Sequence, residues 1–258
     1  MEEEYVKSIT KLEGEEERYR VKYRNGGVYE GGWEKEKKER EGVGVMQDAD
    51  GSVYEGGYRG DVREGYGVWK GRGGEKYEGE WRGDMANGRG RFEYDEGVVY
   101  DGTWKDDEHD GLGVMRYPDG SVYCGAWKGG KMHGQGVYTR CDGSVHEGTF
   151  VEGEICGYGK SKWKDGSSYE GQWKNGMKEG KGKLVRSDGG VYEGEWHADE
   201  REGKGTYTSS EGKKFVGGWK AGKQHGVGTF FIPEDASRGR CGLWKHGELE
   251  EWYDDDDK

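Results

Sequence analysis

The chain has 258 residues, a formal net charge of −12 at pH 7 and only 30% hydrophobic residues. Such a composition alone would indicate disorder, and it excludes a conventional aliphatic core, but 13% of the residues are aromatic and they recur at fixed intervals. No apolar run approaches the ~20 residues of a membrane-spanning helix, and the acidic start at residues 1–4 is the opposite of a basic signal peptide, so a cytosolic location is expected by default.

The first segment follows the spacing of an amphipathic helix. Tyr5, Ile9 and Leu12 recur at helical intervals, acidic residues precede them and Gly14 follows. Acidic residues favour the start of a helix and glycine favours its end. These signals predict a short helix over residues 2–13, which would dock on a sheet edge or on a partner.

The next segment has the alternation of a strand. Tyr19, Val21 and Tyr23 alternate with polar residues before the turn dipeptide Asn25-Gly26. We interpret this strand as a degenerate half-repeat that covers the first edge of a repeat array. Residues 1–28 are therefore predicted to form an N-terminal cap.

From residue 29 onward, a period of 23 residues dominates the sequence. Each repeat is numbered here from a position 0 that is followed by glycine at +2, by a second large ring at +4 and by a glycine pair at +11 and +13. In the first repeat a two-residue insertion displaces the pair to Gly42 and Gly44. The ring at +4 is usually Trp but is Tyr58 and Phe150 in two repeats, so we interpret the position as requiring a large ring rather than an indole N–H. A fixed period identifies a repeat protein rather than a domain folded around one core. Position 0 is occupied by Tyr29, Tyr54, Tyr77, Tyr100, Tyr123, His146, Tyr169, Tyr192 and Phe215.

Two strands and two turns are predicted in each repeat. Positions 0, +2 and +4 share one face of a first strand, and the alternation from +11 to +17 indicates a second strand. Dipeptides such as Gly60-Asp61 and Asn175-Gly176 at +6 and +7 tolerate the positive φ angles of hairpin turns, and a glycine at +20 marks the other turn. The glycines within the strands predict that aromatic rings cover bare backbone and form ladders between hairpins.

Segments such as Tyr77-Glu78-Gly79-Glu80-Trp81, together with the later Gly-x-Gly pair, resemble MORN repeats. The resemblance covers residues 29–249, as nine full repeats and a partial tenth. It implies an all-β fold, an elongated single-layer antiparallel meander of stacked hairpins, used as a protein-interaction scaffold and sometimes as a homodimer. The departures from the pattern lie in repeats two, six and ten: Tyr58, His146, Phe150, Arg240 and a glycine missing near residues 235–238.

The aromatic face is the predicted partner-binding surface, because rings in a one-layer sheet are expected to remain partly exposed and to accept a segment of a partner. The alternative, that these rings only pack, stays open. The candidate residues are Tyr100, Trp104, Tyr123, Trp127, Tyr169, Trp173, Tyr192 and Trp196.

The sequence contains no pattern that indicates catalysis, a cofactor or a metal. The four cysteines, at 124, 141, 156 and 241, lack zinc-ligand spacing, and the Gly-x-Gly pairs lack the context of a phosphate loop. Ten of the twelve excess negative charges lie in residues 1–18 and 248–258, so no basic stripe favours nucleic acid or anionic lipid.

Residues 250–258 are predicted to be an acidic tail. They end in Asp-Asp-Asp-Asp-Lys, which resembles an enterokinase recognition sequence, so a native tail and an engineered remnant are both open interpretations.

We interpret the whole chain as a non-enzymatic scaffold that binds protein partners, in a cytoskeletal or in a ciliary or flagellar axonemal assembly. The alternative is a lipid-associated membrane-tethering or enzyme-targeting module.

Overall fold

The computed structural model describes residues 6–14, 17–235 and 238–253. Within each of two compact units, these residues form antiparallel strands that pair with their neighbours in chain order, and a short 3₁₀ helix lies at Pro233–Asp235. The all-β hairpin meander predicted from the sequence is confirmed. The chain divides into two compact units, residues 1–131 and 132–258.

Unit 1 contains eleven strands within the described residues. Its strands are β1 Val6–Lys11, β2 Tyr19–Tyr23, β3 Val28–Glu34, β4 Glu39–Gln47, β5 Val53–Arg59, β6 Val62–Lys70, β7 Lys76–Arg82, β8 Met85–Glu93, β9 Val99–Lys105, β10 Glu108–Arg116 and β11 Val122–Lys128.

Unit 2 has the same organisation and begins within one residue of the start of β12. Its strands are β12 Lys131–Thr139, β13 Val145–Val151, β14 Glu154–Lys162, β15 Ser168–Lys174, β16 Met177–Val185, β17 Val191–His197, β18 Glu200–Thr208, β19 Lys214–Lys220, β20 Lys223–Phe231, β21 Arg240–Lys245 and β22 Glu248–Trp252.

The strand register places equivalent positions opposite each other throughout both units. In one hairpin, position 0 pairs with +15 and the glycine at +2 pairs with the glycine at +13, as in Tyr54 with Trp69 and Gly56 with Gly67. The +13 glycine then pairs with the +2 glycine of the next repeat, Gly79. A row of glycines therefore crosses the strands on the face that carries the rings.

In the 23-residue repeats, the first turn has the geometry that its dipeptide predicts. Gly60 and Asp61 have φ angles of 56° and 69°, and Asn175 and Gly176 have 50° and 76°. Two positive φ angles in a two-residue loop define a type I′ turn, whose twist matches that of the flanking strands.

The predicted N-terminal helix is wrong over residues 6–11, which form strand β1. Ile9 pairs with Val21 and Thr10 with Arg20 in antiparallel register with β2. This segment contains the β-branched residues Val6, Ile9 and Thr10, which favour strands, and β2 offers it a row of backbone hydrogen-bonding groups. Residues 2–5 of the predicted helix lie outside the described residues.

The strand predicted from Tyr19, Val21 and Tyr23 is confirmed as β2. Val21 is fully buried and pairs with Tyr29, as the +15 residue Trp69 pairs with Tyr77 of the next repeat. The division of the chain into a cap, an array and an acidic tail stays a prediction, and residues 254–258 of the tail lie outside the described residues.

Candidate protein-interaction surface

The glycine row exists because the ring at position 0 lies directly on it. A Cβ atom built on Gly113 would lie 2.4 Å from the hydroxyl oxygen of Tyr100 and 2.5 Å from its Cζ atom, and one built on Gly102 would lie 2.6 Å from the same hydroxyl. The Tyr100 hydroxyl donates a hydrogen bond of 2.9 Å to the carbonyl oxygen of Thr103. The tyrosine therefore fills the space of two missing side chains and satisfies its own polar group.

The ring at +4 joins one repeat to the repeat before it. The Trp104 Nε1–H donates a 3.0 Å hydrogen bond to the carbonyl oxygen of Gly90, and Trp127 donates equivalently to Gly113 at 3.3 Å. Unit 2 repeats this bond, for example from Trp196 to Gly182 at 3.1 Å. Six tryptophans at +4 make this bond, whereas Trp244 Nε1 has no partner among the described residues. The interpretation that +4 requires only a large ring therefore stays a prediction.

The predicted aromatic ladder is present in each unit as an edge-to-face series. The ring at position 0 meets the +4 ring of the following repeat with centroids 5.1–5.4 Å apart and planes 73–88° apart. This geometry places the positive edge of one ring on the negative face of the next, and each such pair adds about 0.5–1.5 kcal/mol beyond burial.

The structure places all eight candidate residues in this ladder, four in each unit, and buries them. The expectation that their rings remain partly exposed is wrong. The exposed fractions are 0% for Tyr100 and Tyr123, 1% for Tyr169 and Tyr192, 7% for Trp104 and Trp173, 6% for Trp127 and 5% for Trp196.

The residue at position +9 explains this burial, and it is the feature that the sequence interpretation missed. It is the cross-strand neighbour of the +4 ring within the same hairpin, as Arg63 is of Tyr58 and His109 of Trp104. We call these residues the covering row. It comprises Arg40, which a two-residue insertion moves to +11, Arg63, Ala86 and His109 in unit 1, and Ile155, Lys178, Arg201 and Gln224 in unit 2. Met132 holds +9 of the fifth repeat.

The cations of the covering row lie over the faces of the rings. The Arg63 guanidinium carbon lies 4.0 Å from the ring centroid of Trp81, and that of Arg201 lies 4.3 Å from the centroid of Trp219. The Lys178 Nζ atom lies 5.4 Å from the centroid of Trp196. These are cation–π distances, and the aliphatic stems of the same side chains exclude water from the rings.

Several of these cations are fixed by an aspartate from the next repeat. The Arg63 backbone N–H and Nε–H both donate to Asp84 Oδ1, at 2.8 and 3.2 Å. The Lys178 Nζ and backbone nitrogen lie 2.8 and 3.0 Å from Asp199 Oδ1. The covering row therefore presents side chains held in defined positions, and a repeated +7 aspartate was the sequence signal for it.

Histidine occupies the covering row once, at His109. Its ring stacks on Tyr100 with centroids 3.7 Å apart, and Nε2 lies 3.0 Å from the Tyr94 hydroxyl oxygen. Burial lowers the pKa of His109 to about 4, because the surrounding rings do not solvate an imidazolium ion. Burial of the ladder itself acts on the phenols, and it raises the pKa of Tyr123 to about 12.

A second histidine, His146, belongs to the ladder of unit 2 and meets Trp173 edge to face. It replaces the tyrosine of position 0, and its cross-strand partner at +15 is Ser161 where other repeats have a larger apolar residue. The two side chains bond to each other, with His146 Nδ1 2.8 Å from Ser161 Oγ, and a cavity of about 190 Å³ lies beside them.

The described part of the chain contains no cluster of three or more His, Cys, Asp or Glu residues arranged to hold a metal ion. It also contains no helix with the length and apolar character needed to span a bilayer. The cysteines at 124, 141, 156 and 241 form no disulfide bond with one another.

Comparison with solved structures finds matches of low similarity. The TCP10 domain of Danio rerio CPAP in complex with a peptide of Danio rerio STIL has 10% identity and a TM-score of 0.39, covering 95% of this chain and 99% of that chain. The TCP10c domain of Drosophila melanogaster Sas-4 has 10% identity and a TM-score of 0.28, covering 71% and 96%. Similarity this low carries no argument about function. No curated protein matches the sequence.

The family model of the MORN repeat matches nine consecutive segments: residues 29–53, 54–76, 77–99, 100–122, 123–145, 146–168, 169–191, 192–214 and 215–233. The predicted partial tenth repeat lies beyond them, where β21 and β22 pair as a hairpin. Nine matched repeats span most of the sequence, so the chain belongs to the MORN repeat family.

Proposed function

We propose that this protein is a non-enzymatic scaffold whose aromatic face binds protein partners. The proposal rests on the difference between the ladder, whose residues repeat regularly, and the covering row, whose residues vary. Tyrosine, glycine and tryptophan recur at positions 0, +2 and +4, whereas the residues at +9 vary among Arg, Ala, His, Met, Ile, Lys and Gln. A regular frame that presents varied side chains suits recognition of an extended partner.

The buried ladder and the covering row have different roles in this proposal. The eight ladder residues, Tyr100 and Trp196 among them, form the floor of the binding face, and the covering row together with the half-buried +15 residues contacts the partner. Successive strands lie about 4.8 Å apart, so equivalent side chains recur about every 10 Å within a unit. A peptide or helix that spans three or four repeats would meet one covering residue per repeat.

We further propose that the partners belong to a cytoskeletal or a ciliary or flagellar axonemal assembly. Support for this setting comes from the family and from a chain that is almost wholly repeats. The test described next can also give other results: a second copy of the chain among the captured proteins would indicate a homodimer, and localisation to a membrane or capture of an enzyme would indicate a tethering or targeting role.

The test is affinity capture of the full chain from native extract, with quantitative mass spectrometry and localisation of the endogenous protein. The comparison chain carries Gly113→Ala and Gly182→Ala, which place side chains against Tyr100 and Tyr169 and disrupt the frame. We expect a reproducible set of cytoskeletal proteins that the comparison chain does not capture, and no turnover by the purified protein. An equal set from both chains, or a catalytic activity that co-purifies with the folded chain, would contradict the proposal.

A further inference from the structure

The cavity beside His146 is a gap in an otherwise filled series. In the next repeat the two corresponding positions hold Tyr169 and Leu184, which pair across the strands. Here His146 and Ser161 are both smaller, so the space that a tyrosine ring and an apolar side chain fill elsewhere stays open. The cavity has a volume of about 190 Å³.

Most of the cavity wall is aromatic or aliphatic. Trp163, Trp173, Tyr138 and Ile155 line it, and His146 meets the ring of Trp173 edge to face with centroids 5.2 Å apart. These surfaces match the faces of a planar ring. Sites for drug-sized ligands usually measure roughly 300–1,000 Å³, so this volume fits one ring better than a larger molecule.

The polar groups of the lining can take further hydrogen bonds. Ser161 Oγ is bonded to His146 Nδ1, and Ser144 Oγ accepts a 3.2 Å hydrogen bond from the Lys164 backbone, yet a hydroxyl can both donate and accept. His146 is 5% exposed, and its Nε2 atom has no hydrogen-bond partner among the described residues. That atom lies over Gly148 and Gly159 of the glycine row, so the hydroxyl groups of Ser144 and Ser161 are the polar groups that a ligand in the cavity would meet.

The charges of the lining favour an anion next to the ring. Arg140 and Lys178 supply two cations, and Asp199, the one carboxylate among the lining residues, is bonded to Lys178 at 2.8 Å. The lining therefore retains a net positive charge beside an aromatic cavity.

We propose that this cavity binds the side chain of a tyrosine that lies next to an acidic residue in a partner protein. The phenol ring would lie against Tyr138 and Trp163, its hydroxyl would bond to the serine hydroxyls, and the neighbouring carboxylate would face Arg140. This inference rests on the proposed scaffold function and names the chemistry of one contact in it.

The experiment titrates the full chain with the peptide Ac-Ala-Glu-Tyr-Glu-Ala-NH₂ and follows the indole N–H signals of Trp163 and Trp173 by NMR. Trp163→Phe and Trp173→Phe variants assign the two signals. The comparison peptides replace Tyr by Ala, or both Glu residues by Lys. We expect saturable shifts with the first peptide, at least a tenfold weaker effect without the ring and a several-fold weaker effect with lysine.

Two variants fill the cavity from within. His146→Tyr with Ser161→Leu restores the residues that the next repeat holds, and Ser161→Leu alone provides a smaller change if the double variant does not fold. We expect either folded variant to lose at least tenfold in peptide affinity. Unchanged binding in a folded cavity-filled variant, equal binding of the Tyr→Ala peptide, or no shift at millimolar peptide would overturn the proposal.

This outcome is separate from that of the scaffold proposal. If the cavity-filled chain still captures the same partners from extract as the natural chain, the scaffold stands and the tyrosine site is wrong. If neither chain captures partners, the scaffold proposal itself fails.

Discussion

The ring at position 0 connects the composition of the chain to its fold. Tyr100 lies on Gly102 and Gly113, bonds through its hydroxyl to Thr103 and meets Trp127 of the next repeat edge to face. Glycine in a strand costs roughly 0.5–1 kcal/mol relative to alanine, and burial of a tyrosine on that glycine offsets the cost. Aromatic rings packed against the glycine backbone therefore replace the aliphatic core that this chain lacks.

The indole N–H of Trp104 gives the first prediction. Trp104→Phe keeps a large ring but removes the hydrogen bond to Gly90, so we expect a loss of about 1–2 kcal/mol in the free energy of unfolding. Trp104→Ala removes the ring as well and should cost about 3–5 kcal/mol. Urea denaturation followed by circular dichroism measures both. A Phe variant as stable as the natural chain would show that the ring alone matters.

The two buried histidines give the second prediction. Burial lowers the pKa of His109 and of His146 to about 4, against an ordinary value of 6.5. The unfolded chain therefore binds more protons between those values, and the stability that these groups contribute is complete above pH 6.5 and is lost as the pH falls toward 4. Each histidine should account for about 1–3 kcal/mol over this window.

Denaturation midpoints at pH 7.5, 6.0 and 5.0 check this dependence. His109→Phe with His146→Tyr should flatten the pH profile in this window. The natural chain, measured at the same three pH values, is the control. An equally steep profile in the double variant would exclude these two histidines as its cause.

At the scale of the hairpin, glycines serve two different purposes. Gly113 has an ordinary backbone conformation but no room for a side chain, because the ring of fully buried Tyr100 occupies that space. Gly120, in the turn between β10 and β11, has open space around it but a φ angle of 90°. One glycine is required by packing and the other by the backbone.

A pair of substitutions separates the two purposes and forms the third prediction. Gly120→Ala should cost about 1–2 kcal/mol, the strain of an L-residue at positive φ. Gly113→Ala should cost about 3 kcal/mol or more, because the buried ring must move. Thermal denaturation of both variants decides between these values. A Gly113→Ala variant no worse than Gly120→Ala would mean that the ring yields easily.

The sequence predicts the hairpins well, because nine copies of one pattern reinforce each local signal. It fails at β1, which is not part of the repeat and where three residues at helical spacing coincide with β-branched Val6, Ile9 and Thr10. It also fails to predict that Trp104 and Trp196 are buried, because their burial depends on the side chains at +9 that lie over the rings. The pairing of His146 with Ser161 follows from the strand register, which relates positions 0 and +15.

At the scale of the whole molecule, the distribution of charge bears on the choice of partner. Of the twelve excess negative charges, ten lie in residues 1–18 and 248–258, and the repeats between them are nearly neutral. Basic residues near an anionic membrane contribute about 1 kcal/mol each, and no basic patch of that kind recurs along the array.

The fourth prediction is therefore that the protein does not bind anionic membranes strongly. Flotation with phosphoinositide-containing vesicles at physiological salt should leave nearly all of the protein in the lower fractions. Vesicles of neutral lipid are the control. Strong flotation that falls as salt rises would favour the lipid-tethering alternative over the scaffold.

The central claim is that partners bind the aromatic face through the covering row, and strands β16 and β18 offer a matched test. Lys178 and Arg201 lie in the covering row, whereas Lys181 and Lys204 of the same strands are exposed on the opposite face. Lys178→Gln with Arg201→Gln and Lys181→Gln with Lys204→Gln remove the same charge from opposite faces. Quantitative capture from native extract with each folded variant is the measurement. We predict that the first pair loses the partners and the second keeps them; the reverse result, or equal capture by both, would contradict the account.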